Sequence, residues 1–144
     1  VLDVVERALL TPLGLRSLAP GEPAYRGRYE GGVWDRDGAY HQGTVWPWLL
    51  GAFVEGWLRV RGDSPGARAA AREGFVQPPL APREPAGLGH VSEIADAAPP
   101  WRPRGCPFQA WSLGELLRML ELTEPPAGEP APVVSKRTRA RRST

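Results

Sequence analysis

The chain has 144 residues and a mass of 15.7 kDa, room for one ordinary domain and too little for two. With 17 Gly and 17 Pro it stops just short of a disordered composition, while 42% hydrophobic residues, six Trp among them, call for packed structure. A lone cysteine, Cys106, excludes an internal disulfide and an all-cysteine zinc site, and no run approaches the ~18 apolar residues of a membrane span.

The net charge of +2 at first suggests a nucleic-acid partner. Five of the basic residues, Lys136, Arg137, Arg139, Arg141 and Arg142, lie in the last nine positions. Setting them aside leaves 13 basic against 16 acidic side chains over positions 1–135. Basicity belongs to a tail, so no nucleic-acid or membrane partner is expected. Nothing at the N-terminus has the basic-then-apolar form of a signal peptide, which gives a soluble, intracellular expectation.

In chain order, Val1, Leu2, Val5 and Leu9 predict the last turns of an amphipathic helix, ended by Pro12 and Gly14. Residues 11–40 show neither a helical nor a strand period and read as a long ordered loop. Thr44 to Val60 carries Trp46, Leu49, Leu50, Phe53, Trp57 and Val60 on one face, the strongest helix signal in the chain. Thr44 is its expected cap, with Pro47 in the first turn. A second, Ala/Arg-rich helix is predicted over 65–76. Eight prolines between Pro78 and Pro107 then argue against regular structure. A third helix is predicted from Pro107 to Leu122, on the stripe Leu113, Leu116, Leu117 and Leu120. From Thr123 to Thr144 the composition is that of a disordered basic tail. The resulting fold class is all-α, with one folded unit over 1–122. The long helix is apolar around most of its girth, as in part of a larger helical domain.

Two loops concentrate chemistry. Tyr25 to Trp48 brings Asp35, Asp37, Tyr40, His41 and Gln42 together with Trp34, Trp46 and Trp48; His90 to Trp111 carries Glu93, Asp96, Arg104 and Gln109. Aromatic faces stack on the C–H faces of a pyranose, while carboxylates and amides take its hydroxyls. A glycosidase needs in addition two carboxyl groups, about 5–5.5 Å apart for retention and about 6.5–9.5 Å for inversion. Plainer roles stand beside these. Trp46 and Trp48 also suit core packing, and spaced by two on a helix they point different ways. His41 also suits a capping or core role, and Arg104 a structural ion pair. His41 and His90 with Glu93 lack the further close ligand a metal site needs, so no metal and no cofactor is expected. Cys106 reads as a small buried residue.

The run RDGAYHQGTVWPWLLGAF (Arg36 to Phe53), SEI at Ser92 to Ile94 and PRGCPFQAWSLGELLRML (Pro103 to Leu120) resemble the C-terminal glucosidase domain of glycogen-debranching enzymes. LLTPLGLRSL (Leu9 to Leu18) and YRGRYEGG (Tyr25 to Gly32) fit the same family, so the likeness spans roughly residues 2–121. It implies an (α/α)6 barrel, of which this chain is the C-terminal portion, and amylo-α-1,6-glucosidase activity in the cytoplasm on glycogen or a branched α-glucan. It also implies inversion by a general acid and a general base. Glu93 matches the family's general base. Asp37, Tyr40, His41, Gln42, Trp46 and Trp48 match the block lining the glucose pocket, and Arg104 is added as an orienting cation.

Two departures qualify the likeness. The family's general acid sits in an earlier TWMD-like segment that this sequence does not contain. The family's EIFDGDAPH stretch here reads EIADAAPPW, with Ala97, Ala98 and Trp101 at the positions of Gly, the second Asp and His. The expectation is therefore an incomplete glucosidase domain, inactive alone and completed by the missing N-terminal part of the barrel. The alternative is a non-catalytic carbohydrate-binding or interaction remnant.

Overall fold

The structure is a computed structural model and describes residues 1–81 and 90–125. Its helical side is built on α3, Leu49–Arg61, and α6, Ala110–Leu122. Leu50, Phe53, Val54 and Leu58 at helical spacing turn one face of α3 inward, against Leu116 and Met119 of α6. Gly51 allows the two helices to approach closely, because a Cβ there would run into the Glu115 carboxylate. Above this contact Arg118 bridges Glu115 and Glu55, each at 2.8 Å. Its hydrogen bond pulls the Glu55 carboxyl below the usual range, helped by the charge of Arg59.

Gly62 ends α3 in the left-handed region at φ 97°, which only glycine adopts at little cost. Ser64 then caps α4, Pro65–Ala71, accepting from the Ala67 N–H at 3.2 Å. A π-helical turn, Arg72–Val76, and α5, Gln77–Leu80, continue the same rod. Phe75 and Val76 from the turn enter the core, Phe75 packing edge-on against Phe53. The N-terminal helix α1, Leu2–Ala8, adds Leu2 and Val5 to this cluster.

The other side is a five-stranded antiparallel sheet in sequence order: β1 Leu10–Thr11, β2 Gly14–Arg16, β3 Val45–Trp46, β4 Ile94–Ala95 and β5 Pro103–Arg104. Leu15 pairs with Trp46, Val45 with Ala95, and Ile94 with Arg104. Leu13, Val45, Ala95 and Ala97 form a second, small core under it, closed by Tyr25 and Trp101. Helix α2, Val33–Tyr40, stands before β3.

The sheet corrects the all-α expectation. About half of the described residues are helical, and the sheet joins segments far apart in sequence. Strands of two or three residues are too short to show the alternation that reveals a strand, which needs four or more. Helix α3 also starts five residues later than Thr44, because Val45–Trp46 is drawn into the sheet. The Thr44 hydroxyl, expected to cap that helix, instead donates to the Tyr40 carbonyl at 2.6 Å. Likewise α6 begins at Ala110, after Pro107. Residues 126–144, most of the expected basic tail, lie outside the described residues. Among the described residues no helix is long and apolar enough to cross a membrane.

Candidate functional site

Strand β4 and the segment around β5 form a two-stranded ladder that continues beyond their assigned ends. The Glu93 N–H donates to the Cys106 carbonyl at 2.8 Å, and the Gln109 N–H to Val91 at 3.1 Å. Ile94 opposite Arg104 places Glu93 opposite Gly105 on the same face. Gly105 sits at φ 67°, and a Cβ there would collide with the Glu93 carboxylate. The side chain of Glu93 thus lies over a glycine that alone leaves it room.

Two donors from separate parts of the chain hold that carboxylate. The Tyr40 hydroxyl donates to Oε1, and the Cys106 backbone N–H donates to Oε2 at 3.0 Å. Tyr40 closes α2 and is itself fixed: its carbonyl accepts from Thr44 Oγ1 and from Trp46 Nε1, the latter at 3.0 Å. Its ring meets those of His41 and Trp46, each with centroids 4.7 Å apart. Burial and the bond to the Glu93 carboxylate push the Tyr40 phenol up to about 12. It is therefore a hydrogen-bond donor throughout the neutral range.

His41 and Trp46 lie parallel, 5.1 Å apart and 2° from coplanar orientation. The imidazole is exposed, as are Gln42 and Asp37. Gln42 gives its carbonyl to the Arg26 N–H at 2.5 Å, and neither its amide side chain nor the Asp37 carboxylate is engaged among the described residues. Trp48 points elsewhere. It stacks on Trp111 with centroids 4.2 Å apart, outside the Tyr40–His41–Trp46 group.

Arg104 does orient a carboxylate, but that of Asp96. Its Nε and Nη2 donate to Asp96 Oδ2 at 3.1 and 3.0 Å, while Asp96 Oδ1 accepts from the Tyr29 N–H at 2.9 Å. Asp96 is 2% exposed, and it ties the Tyr25–Gly32 loop to β5. Tyr29 in turn stands 5.9 Å from Tyr40, ring to ring. Sequence reasoning noticed Asp96 only as one acid among several. Its position three residues from Glu93 in an extended segment was the signal, since that spacing sends the two to opposite faces. Cys106, expected to be buried, is exposed, and its backbone N–H is what meets Glu93.

Asp35 accepts from the Gly32 N–H at 3.0 Å, securing the start of α2. It also borders an open cleft of about 650 Å³, shared with Tyr25, Arg26, Arg28, Glu30 and Ala98, which does not include Glu93. Among the described residues no group of His, Cys, Asp and Glu is arranged to hold a metal ion.

A family model described as amylo-alpha-1,6-glucosidase matches residues 1–118. The chain belongs to that family. The match spans α1 through most of α6, so the sheet, the Glu93 ladder and the Tyr40–Trp46 block all fall inside it. Within the amylo-α-1,6-glucosidase family the domain is that of glycogen-debranching enzymes, with glycogen or a branched glucan as substrate.

Proposed function

We propose that this chain carries the general-base side of an inverting α-1,6-glucosidase site, acting in the cytoplasm on branch-point glucose. The observation that carries the reading is Glu93, gripped on one oxygen by Tyr40 and on the other by the Cys106 N–H. An ionised carboxylate has about four acceptor positions, and these two bonds occupy two of them. The others remain to take a proton from the water that attacks the anomeric carbon. The Trp46 and His41 rings offer an apolar surface for the sugar, and Gln42 and Asp37 offer amide and carboxylate partners for its hydroxyls. Tyr40, with its proton held to about 12, orients the base and does not serve as the acid.

Glucose release from a branched limit dextrin tests this, with the purified protein combined with the remaining part of a glucosidase domain that supplies the general acid. Glu93→Gln keeps shape and volume but removes the base, and a loss of at least about 10²-fold is expected with an unchanged circular-dichroism spectrum. Equal rates in the two proteins would overturn the assignment.

A second reading, a non-catalytic carbohydrate-binding domain, is favoured by one observation: the sequence contains no TWMD-like segment to supply the general acid. Calorimetric binding of maltooligosaccharide by the unsubstituted protein, with no glucose released, would establish that reading instead.

A further inference from the structure

We infer that Asp96 is a positioning residue for Glu93, fixing from the opposite face of the ladder both donors that grip its carboxylate. The inference rests on the reading of Glu93 as the general base. Asp96 does not reach Glu93 itself, since three residues of extended chain turn the two to opposite faces. It acts through two links. In the first, Asp96 Oδ2 accepts from Arg104 Nε and Nη2 at 3.1 and 3.0 Å, and Arg104 stands two residues before Cys106, whose N–H donates to Glu93 Oε2. In the second, Asp96 Oδ1 accepts from the Tyr29 N–H at 2.9 Å, and the Tyr29 ring borders that of Tyr40, the donor to Oε1. The Ala97 N–H reinforces this link by donating to the Gly27 carbonyl at 2.7 Å.

Stability alone is a poor reason for this arrangement. A buried ion pair gains little over well-packed apolar side chains, because both charges lose water, but it fixes which residue faces which. The Asp96 side chain is 3% exposed and that of Arg104 28%. Glu30, a second acid beside the guanidinium at 3.8 Å, is 57% exposed and holds it less firmly. Strands of two residues have little else to set their register. A slip of one residue would turn Arg104 to the face of Glu93 and carry Gly105 away from it. Gly105 has to stay opposite Glu93, since a Cβ at that place would meet the carboxylate. The Asp96–Arg104 pair therefore pins the register that gives the base both its room and its Cys106 donor.

Amide hydrogen exchange of the 144-residue protein, followed by NMR, tests the positioning without relying on catalysis. Asp96→Asn keeps shape and an acceptor for the Tyr29 N–H but removes the charge that holds Arg104. The Cys106 amide should then exchange about fivefold faster or more relative to the amides of α3, the fold-change of roughly one hydrogen bond. Arg104→Gln should do the same, and Arg104→Lys, which keeps the charge, should recover part of the protection; this pair decides the matter if Asp96→Asn does not fold. Phe53→Ala, a loss on the helical side, should leave the ratio unchanged. With the rest of a glucosidase domain added, Asp96→Asn should lower kcat about tenfold and leave KM as it was, because a misplaced base costs the transition state and not substrate binding. Equal acceleration at Cys106 and in α3 would overturn the inference, as would an unchanged kcat beside an inactive Glu93→Gln. A fully active Glu93→Gln would sink the base reading alone, since the Cys106 exchange is measured with Glu93 in place.

Discussion

The helical side and the hairpin side of this molecule are held by different forces. Around α3 and α6 the core is aliphatic and aromatic, with Leu50, Phe53, Val54, Leu116 and Met119 nearly or fully buried. Around β4 and β5 the apolar core shrinks to Leu13, Val45, Ala95 and Ala97, and hydrogen bonds take over. Asp96 fastens Tyr29 and Arg104, Tyr40 fastens Glu93, and Arg16 reaches the Ala97 carbonyl at 3.1 Å. Packing is non-directional and forgives isosteric change; a hydrogen-bonded site is directional and does not. The chemistry therefore lies where geometry is fixed bond by bond, braced by a helical pair that supplies most of the apolar burial.

The largest stability effect is expected on the helical side. Phe53→Ala empties a site between α3 and the π-helical turn and should cost about 3–5 kcal/mol in denaturant unfolding. Asp96→Ala probes the other side. It leaves Arg104 and the Tyr29 N–H without their buried acceptor, but the guanidinium keeps some solvent, so about 2 kcal/mol is expected in the same assay. If the two sides differ as argued, this variant should also slow glucose release through Tyr29 and Tyr40, whereas activity normalised to folded Phe53→Ala protein should change less.

The smallest effect, and the sharpest, is Tyr40→Phe. The phenol titrates at about 12 in the folded protein and near its ordinary value of 10.0 when unfolded. Its contribution to stability is thus complete below pH 10 and disappears as pH rises toward 12. Alkaline unfolding curves should lose that portion of their slope in Tyr40→Phe, and the near-ultraviolet tyrosinate signal should lose its latest-titrating component. Identical alkaline curves would mean that the Tyr40–Glu93 bond is not made in solution.

How much of this was legible in advance follows from element length. Helices α3 and α6 were visible because thirteen residues give several turns of apolar periodicity each. The sheet was hidden because Leu10–Thr11, Val45–Trp46 and Pro103–Arg104 each offer two residues, and Pro103 argued against a strand at all. Of the candidate site, the wording around Tyr40 to Trp48 and at Glu93 pointed to the family, but side-chain direction was not readable from it. The structure sets Trp48 against Trp111, Arg104 against Asp96 and the Tyr40 hydroxyl against Glu93. Only pairing across the ladder decides such directions, and pairing is a property of two segments together.

That ladder also limits how the segment can be edited. Glu93 and Asp96 are both acids within four residues, separated in duty only because successive residues of an extended chain face opposite ways. Inserting or deleting one residue between Glu93 and Asp96 would make their spacing even, turn both acids to one face and leave the composition almost untouched. Tyr40 and Arg104 would then face carboxylates on one side of the strand only, and one of them would lose its partner. For anyone grafting, shuffling or recoding this stretch, its residue count is the quantity to preserve.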